Sequence, residues 1–343
     1  MRYRFRRRYG RRPQMLQWIW LLILFPCAFL LTQVYFSQGR EETPVEPAPY
    51  TEQGTEEVTV SLLRTETGKI ETMDLQTYVI GVVSAEMPVN FAEEALKAQA
   101  VIARTYALRK MADNSWAADP DHGDLCDDSG HCQAYYDTET LKETWGSDFN
   151  TKYQKISDAV TSTGNQILTY DGEIAYTYYC STCGGKTASA KEVWGTDYPY
   201  LQSVACRWDK DASRYEETVE VALADLPWLL GDGTSPCIAV ASGEKVSEVP
   251  EASGETDSGR VQSVTYAGLT FSAADFRRAL GLNSTKFSLD PKGDMLKITT
   301  TGYGHGVGLC QYGANGMAEE GYTYEEILAY YYQGTELTNF QSQ

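Results

Sequence analysis

The chain has 343 residues, enough for one large domain or two small ones, and a net charge of −18 at pH 7. Residues 1–14 hold seven arginines and no acid, so the remainder, with 22 basic and 47 acidic side chains, carries a net charge of −25. A domain this acidic repels phosphate groups, which excludes nucleic acid as its partner. Eight cysteines are too few for a disulfide scaffold in a chain of this length.

The N-terminal region predicts a membrane anchor. Residues 15–36 are uncharged, and at about 1.5 Å per residue they are long enough to cross a hydrocarbon core of about 30 Å. The basic residues 1–14 are expected to stay in the cytoplasm, with the rest of the chain outside. A cleaved signal peptide is the alternative, but no small-x-small cleavage site follows the apolar stretch. Residues 37–57, rich in proline and glutamate, indicate an extended linker.

The first folded elements are expected from residue 58 onwards. Alternating runs on either side of Gly68 predict a β-hairpin. An apolar, β-branched stretch at 78–83 then leads to a turn at Glu86. Asn90 as cap, with Glu93 as the partner in a capping box, predicts the start of a long helix over 92–110.

The position of Glu86 at an element boundary allows two interpretations. Such a glutamate is either a turn residue in water or a reactive group that a rigid scaffold holds in place. The residue pattern alone favours the turn residue.

The rest of the chain mixes strands and helices without a regular βαβ rhythm, so we expect an α+β fold. The expected elements are a polar loop at 113–150, a β-rich part at 155–206 with strands at 166–170 and 175–179, a mobile acidic insertion at 243–259, a helix at 273–280, and a last helix between a Thr323/Glu326 capping box and Gly334.

One polar loop collects metal-binding residue types. His122, Cys126, His131 and Cys132 supply four nitrogen or sulfur ligands within 11 residues, the donor set of tetrahedral zinc. Because four protein ligands leave no open position, such a zinc would be structural. A Cys126–Cys132 disulfide with two surface histidines is the alternative.

A second cysteine motif is ambiguous. Cys180-Ser-Thr-Cys183 precedes two glycines, and could be a redox pair, half of another metal site, or a tight loop with two small packing residues. The glycines would let backbone N–H groups approach a ligand closely. Cys206 and Cys237 could pair with each other or with this loop.

The third histidine lies in a glycine-rich stretch, residues 302–316. His305 and Cys310 suggest a cysteine peptidase dyad, but the members of such dyads are normally distant in sequence. A histidine that lines a polar cleft is therefore favoured.

Four motifs, taken in this order, resemble the stage II sporulation protein D family: SAEMP at 84–88, ARTYA at 103–107, STCGGKT at 181–187, and GYGHGVGLCQYGANGMA at 302–318. The resemblance spans about residues 58–338 and implies an α+β catalytic domain with a substrate groove. It implies a membrane-anchored lytic transglycosylase that cuts peptidoglycan stripped of its stem peptides during engulfment, in the septal or engulfing membrane of the mother cell. The implied partners are stage II sporulation proteins P and M.

The resemblance also assigns roles to residues. It places the catalytic acid at Glu86 and a structural zinc in the loop 119–136, on His122, Cys126, His131 and Cys132. Cys180, Cys183 and Cys310 are taken as substitutions for other small residues. The implied substrate-binding residues are Arg104, Tyr106, Ser181, Gly184, Gly185, Lys186, His305, Gln311 and Tyr312.

The implied reaction needs one carboxylate and no cofactor. Glu86 would protonate the glycosidic oxygen and then take a proton from the 6-hydroxyl of muramic acid, which requires a pKa raised by burial. Two other functions remain open. Relatives that enhance a separate amidase would bind glycan without cleaving it, and a zinc hydrolase at His122 would lose activity to chelators.

Overall fold

A computed structural model describes residues 58–113, 123–231 and 249–341. The expected tail, anchor and linker (1–57), the loop ligand His122 and Cys237 lie outside these residues. Among the helices that the structure describes, none is both long and apolar enough to span a membrane.

The predicted hairpin is confirmed. Strands β1 (Thr59–Arg64) and β2 (Lys69–Asp74) pair antiparallel along their full length, with Gly68 in the turn at a φ of 69°. The short strand β3 (Leu125–Cys126) adds to the other edge of β1 in parallel, which fixes the start of the cysteine loop on this sheet.

The apolar stretch at 78–83 is helical. It lies within α1 (Leu75–Glu86), whose N-terminus is capped by the side chain of Asp74, and all six of its residues are buried. β-Branched residues are tolerated there because tertiary packing on every side outweighs their weak helix propensity. Glu86 is the last residue of α1, so the prediction that it marks an element boundary is confirmed.

The long helix α2 (Glu93–Ala112) forms the centre of the larger core. Thirteen of its 20 residues are buried, as expected for a helix surrounded by other elements. The predicted Asn90 cap is wrong: Ala92 is the capping residue and makes no side-chain cap. Instead, the Ala92 N–H donates to Asn315 Oδ1 at 2.8 Å, so a distant side chain satisfies this end of the helix.

The polar region 113–150 is more ordered than its composition predicts. It contains α3 (Thr138–Trp145), capped by Asp137, and the start of α4 (Phe149–Ser162). The expected β-rich part therefore begins with a helix. Ile156 and Val160 of α4 are fully buried and pack in the same core as α2, which explains why this polar segment is helical.

Two further small sheets complete the larger core. The predicted strand at 166–170 is confirmed as β4 (Gln166–Tyr170), which lies between β5 (Glu173–Ile174) and β14 (Glu336–Asn339). Of the expected strand at 175–179 only the end is formed, as β6 (Tyr179–Cys180). This strand pairs in parallel with β13 (Leu309–Cys310) and brings two of the sequence motifs side by side.

A second apolar core lies in residues 216–301. It forms between two antiparallel three-stranded sheets and the predicted helix at 273–280, observed as Ala273–Ala279. The strands are β7 (Glu216–Ala222), β8 (Glu251–Glu255), β9 (Val261–Tyr266), β10 (Leu269–Ser272), β11 (Phe287–Lys292) and β12 (Met295–Thr301). Because β8 pairs with β9, the expectation of a mobile insertion at 243–259 is wrong for residues 251–255.

The C-terminal helices follow the sequence prediction. The helix Gln311–Glu319 starts directly after β13, and the helix Tyr324–Tyr331 has the predicted capping box between Thr323 and Glu326. Mixed helices and small sheets of this kind confirm the α+β class.

Candidate functional site

The carboxylate of Glu86 lies half-buried at the C-terminal end of α1. Its Oε1 atom accepts a hydrogen bond from the Ala134 N–H at 2.8 Å. Tyr179 from β6 and Gln311 from the start of the helix 311–319 also hydrogen-bond to this carboxyl group. The three partners come from the three segments that carry the cysteine loop, the STCGG motif and the GYGHG motif.

The pKa of Glu86 is raised. Burial is the main cause, and the hydrogen bonds from Ala134, Tyr179 and Gln311 oppose it. The negative end of the α1 dipole acts in the same direction as burial. No arginine or lysine among the described residues lowers the pKa of this carboxyl group, which is consequently biased towards the protonated form.

A polar network holds the groups around Glu86. The Gln133 side chain donates to the Tyr78 hydroxyl at 3.1 Å and accepts from the Tyr179 hydroxyl at 3.2 Å. Gln311 is 5% exposed, and its amide reaches Gln99 at 3.5 Å. The Tyr179 hydroxyl has a single proton, which it can donate either to Gln133 or to an ionised Glu86.

Arg104 is not part of a groove, contrary to the prediction. Its guanidinium is 2% exposed and donates to Gln166 O at 3.0 Å, Thr163 Oγ1 at 3.2 Å and Val160 O at 3.4 Å. Burial lowers its pKa to about 10. Arg104 therefore joins α2 to the C-terminal end of α4, where a cation is favoured by the helix dipole.

Tyr106 also has an internal role. It is 9% exposed, and its hydroxyl donates to the His131 carbonyl at 3.4 Å. Tyr106 therefore holds the cysteine loop through this hydrogen bond. Because its side chain is buried, Tyr106 does not fit the predicted role in substrate binding.

The predicted glycine pair faces inwards. The N–H groups of Gly184 and Gly185 donate to Asp209 Oδ2 at 2.7 and 3.3 Å, so an internal carboxylate occupies the position expected for a ligand. Lys186 extends outwards, where its Nζ donates to the Asp257 carbonyl at 2.8 Å. Ser181 is half-buried, and its carbonyl accepts from the Tyr312 N–H at 3.1 Å.

His305 is a neutral positioning residue. Its Nδ1 accepts from the Val307 N–H at 3.0 Å, and its ring also hydrogen-bonds to the Tyr179 backbone. Burial, with smaller contributions from Arg277 and Arg260, lowers its pKa to about 4. The dyad with Cys310 is not formed, because the thiol of that residue lies against other partners.

Exposed aromatic rings adjoin this histidine. Trp194 is 44% exposed, and its ring centroid lies 5.1 Å from His305 and 4.5 Å from Tyr178. Flat aromatic faces are suited to stacking on sugars. Trp194 was not among the binding residues predicted from the sequence, although the stretch Val193-Trp194-Gly195 after the STCGG motif was a signal. Tyr312 is half-buried and packs edge-on against Phe91 at 5.0 Å.

The cysteine loop fits a zinc site as far as it is described. His131 Nδ1 lies 3.3 Å from Cys126 Sγ and 3.2 Å from Cys132 Sγ, and the alternative disulfide is absent because both thiols are free. Two thiols and one imidazole form the nitrogen–sulfur donor set that zinc prefers. These three residues would hold the ion, with His122 outside the described residues, and the ion would stabilise the loop.

Together the fold and the site define an α+β protein built around one carboxyl group of raised pKa, the kind of group that serves in general acid–base chemistry. The family model described as Stage II sporulation protein matches residues 63–170.

Two relatives share most of their length with this chain. It is 41% identical over 284 residues to stage II sporulation protein D of Bacillus subtilis (strain 168), covering 82% of this chain and 79% of that protein. It is 38% identical over 285 residues to the protein of the same name from Bacillus amyloliquefaciens, covering 83% and 80%. The chain belongs to the SpoIID family of sporulation proteins.

A more distant relative has a different name. The chain is 27% identical over 305 residues to a protein called amidase enhancer from Bacillus subtilis (strain 168), covering 76% of this chain and 40% of that protein.

Proposed function

We propose that this protein is a lytic transglycosylase that cleaves peptidoglycan glycan strands between N-acetylmuramic acid and N-acetylglucosamine. The observation that carries the proposal is the environment of Glu86. The carboxyl group is half-buried, its pKa is raised, and residues from three separate segments contact it. Membership of a sporulation family supports a cell-wall substrate.

The reaction uses the single carboxyl group twice. Neutral Glu86 donates its proton to the glycosidic oxygen as the bond from that oxygen to C1 of muramic acid breaks. The resulting carboxylate then takes the proton of the muramic acid 6-hydroxyl, whose oxygen bonds to C1 and closes a 1,6-anhydro ring. No water is consumed, so the second carboxylate that ordinary glycosidases use is not required.

The neighbours of Glu86 hold it in place for both steps. Tyr179 in β6 and Gln311 at the start of the helix 311–319 contact the carboxyl group, and the Ala134 N–H fixes one of its oxygens. These donors stabilise the carboxylate formed after the first proton transfer, while burial keeps the pKa high enough for the residue to begin as an acid.

The wider setting is part of the same proposal. The substrate would be strands already stripped of stem peptides, with stage II sporulation proteins P and M as partners. The protein would be anchored in the engulfing membrane of the mother cell. A zinc ion in the cysteine loop would be structural, and the proton transfers by Glu86 would not involve it.

The test compares glycan products of the full-length wild-type chain and Glu86→Gln. We expect 1,6-anhydro ends from the wild type by mass spectrometry, and a rate about 10²–10⁴-fold lower from Glu86→Gln with glycan binding retained. Glu93→Gln is the matched control, because that side chain is 59% exposed and pairs with Lys97 on the same helix. Anhydro products from Glu86→Gln at the wild-type rate would overturn the proposal.

A second candidate function is enhancement of a separate amidase, favoured by the relative of that name. In that case the glycan strands would stay intact while a partner amidase, added to the same reaction, worked faster. The two functions are distinguished by the strand ends alone.

A further inference from the structure

Three cysteines and one aspartate from separate segments meet inside the protein. One ligand atom each of Cys183, Cys206, Asp209 and Cys310 lies within 4.8 Å of all the others. All four residues are 0% exposed. Cys183 follows β6 and Cys310 ends β13, while Cys206 and Asp209 lie in the segment between β6 and β7.

The spacing of these atoms suits a tetrahedral metal ion. With metal–sulfur bonds of about 2.3 Å and a metal–oxygen bond of about 2.0 Å, ligand atoms would lie roughly 3.5–3.8 Å apart. Asp209 Oδ2 lies 3.2 Å from Cys183 Sγ and 3.7 Å from Cys310 Sγ. Only small shifts would be needed to place an ion between them.

Asp209 lacks the partners that a buried carboxylate needs. Its Oδ2 accepts from Gly184 and Gly185, but Oδ1 has no hydrogen-bond partner, and none of the ion pairs among the described residues includes Asp209. An ionised carboxylate this deeply buried is costly unless it pairs with a cation or coordinates a metal. A bound cation would neutralise this carboxylate.

The surroundings supply donors suited to thiolate sulfurs. The N–H groups of Cys183 and Gly313 point at Cys310 Sγ at 3.3 and 3.4 Å, and the Tyr331 hydroxyl lies 3.3 Å from Cys206 Sγ. Such outer contacts orient and stabilise metal ligands. Any side chain at Gly313 would overlap Cys206 Sγ and the Tyr331 hydroxyl, so glycine keeps this space open.

We propose that Cys183, Cys206, Asp209 and Cys310 bind one zinc ion in a closed tetrahedral site. Thiolate ligands select zinc over harder divalent cations, and four protein ligands leave no position for a substrate, so the ion is structural. It joins the STCGG loop to the start of the helix 311–319, from which Gln311 reaches Glu86. This site shares no ligand with the cysteine loop and does not depend on the proposed activity.

The test removes the other candidate site first. The full-length chain carrying Cys126→Ser and Cys132→Ser is purified under reducing conditions with zinc. We expect it to hold about one zinc per chain, measured by inductively coupled plasma mass spectrometry. Replacement of zinc by Co²⁺ should give sulfur-to-cobalt charge-transfer absorption and the intense visible bands of tetrahedral cobalt. Adding Cys206→Ser or Asp209→Ala should abolish metal binding, whereas Cys180→Ser, a buried cysteine outside the cluster, should leave it unchanged.

Two results would overturn the proposal. One is a double-serine chain with native circular dichroism that holds no zinc and gives no cobalt–thiolate absorption. The other is a disulfide between two of the three cysteines, found by peptide mapping of wild-type protein isolated without reductant. Should the double-serine chain fail to fold, the zinc content of the otherwise wild-type chain is compared with that of Cys206→Ser and Cys180→Ser. The proposal then requires that Cys206→Ser holds about one zinc per chain less than the wild type, and that Cys180→Ser holds as much zinc as the wild type.

Discussion

Replacing Arg104 distinguishes a substrate-binding arginine from one that holds the fold. The change Arg104→Met keeps the length and apolar stem of the side chain but removes its hydrogen bonds to Val160, Thr163 and Gln166. Each buried acceptor left unsatisfied costs about 1–3 kcal/mol. Against this, methionine removes the cost of burying a charge that has no carboxylate partner among the described residues.

The balance predicts that Arg104→Met lowers the free energy of unfolding by about 3 kcal/mol, which corresponds to a fall in Tm of roughly 6–12 °C for a domain of this size. Thermal and urea unfolding followed by circular dichroism measure it. At a temperature where the variant is folded, glycan binding should match the wild type.

Arg109→Met is the matched control on the same helix. Arg109 is partly exposed, pairs with Asp113 and donates to Tyr176 and the Ile174 carbonyl, so its loss should cost less than that of the fully buried Arg104. An Arg104→Met variant as stable as the wild type but unable to bind glycan would refute the structural role and restore the substrate-binding one.

Three further predictions concern the site. Tyr179→Phe removes a hydrogen bond that lowers the pKa of Glu86, so the alkaline limb of the activity profile should move up by about one pH unit. Trp194→Ala removes an exposed ring beside His305 and should weaken glycan binding about tenfold by calorimetry. Glu86→Gln should be more stable than the wild type above the raised pKa of Glu86, because only the charged form is disfavoured by burial. The difference in the free energy of unfolding should vanish as the pH falls below about 4.5, the pKa of an unburied glutamate.

Each of these predictions has a result that contradicts it. An alkaline limb that stays in place or moves down in Tyr179→Phe would contradict the hydrogen bond to Glu86. Trp228 is the control, because its ring is 81% exposed in the second core region. If Trp228→Ala weakened glycan binding as much as Trp194→Ala, the ring of Trp194 would not be a specific glycan-binding surface. Urea unfolding in which Glu86→Gln is no more stable than the wild type at pH 8 would mean that the pKa of Glu86 is not raised.

Local patterns predicted those elements whose stability is local. The hairpin around Gly68 and the capping box at Thr323 depend on neighbouring residues, and both were found from the sequence. The stretch at 78–83 was harder, because burial on every side makes β-branched residues helical. The Asn90 cap failed for a similar reason: Asn315, 223 residues away, supplies the hydrogen bond at the start of α2.

The candidate site was only partly visible in the sequence. The position of Glu86 at an element boundary did not assign its role, and only the resemblance of the ordered motifs pointed to a catalytic acid. The metal cluster could not be found in this way, because Cys183 and Cys310 are 127 residues apart and only the pairing of β6 with β13 brings them together. The prediction that these cysteines are small substitutions followed from the resemblance, in which other small residues stand at their positions.

The corrected position of Arg104 bears on how Glu86 could act as an acid. A guanidinium beside Glu86 would favour the carboxylate and lower its pKa. The fold instead directs Arg104 towards the end of α4 and surrounds Glu86 with neutral donors, Tyr179 and Gln311. Neutral donors orient a carboxyl group without holding it ionised as strongly as a cation would. An acid that must lose and regain one proton within a single turnover requires this kind of environment, and in this protein the same long helix that carries the arginine keeps it away.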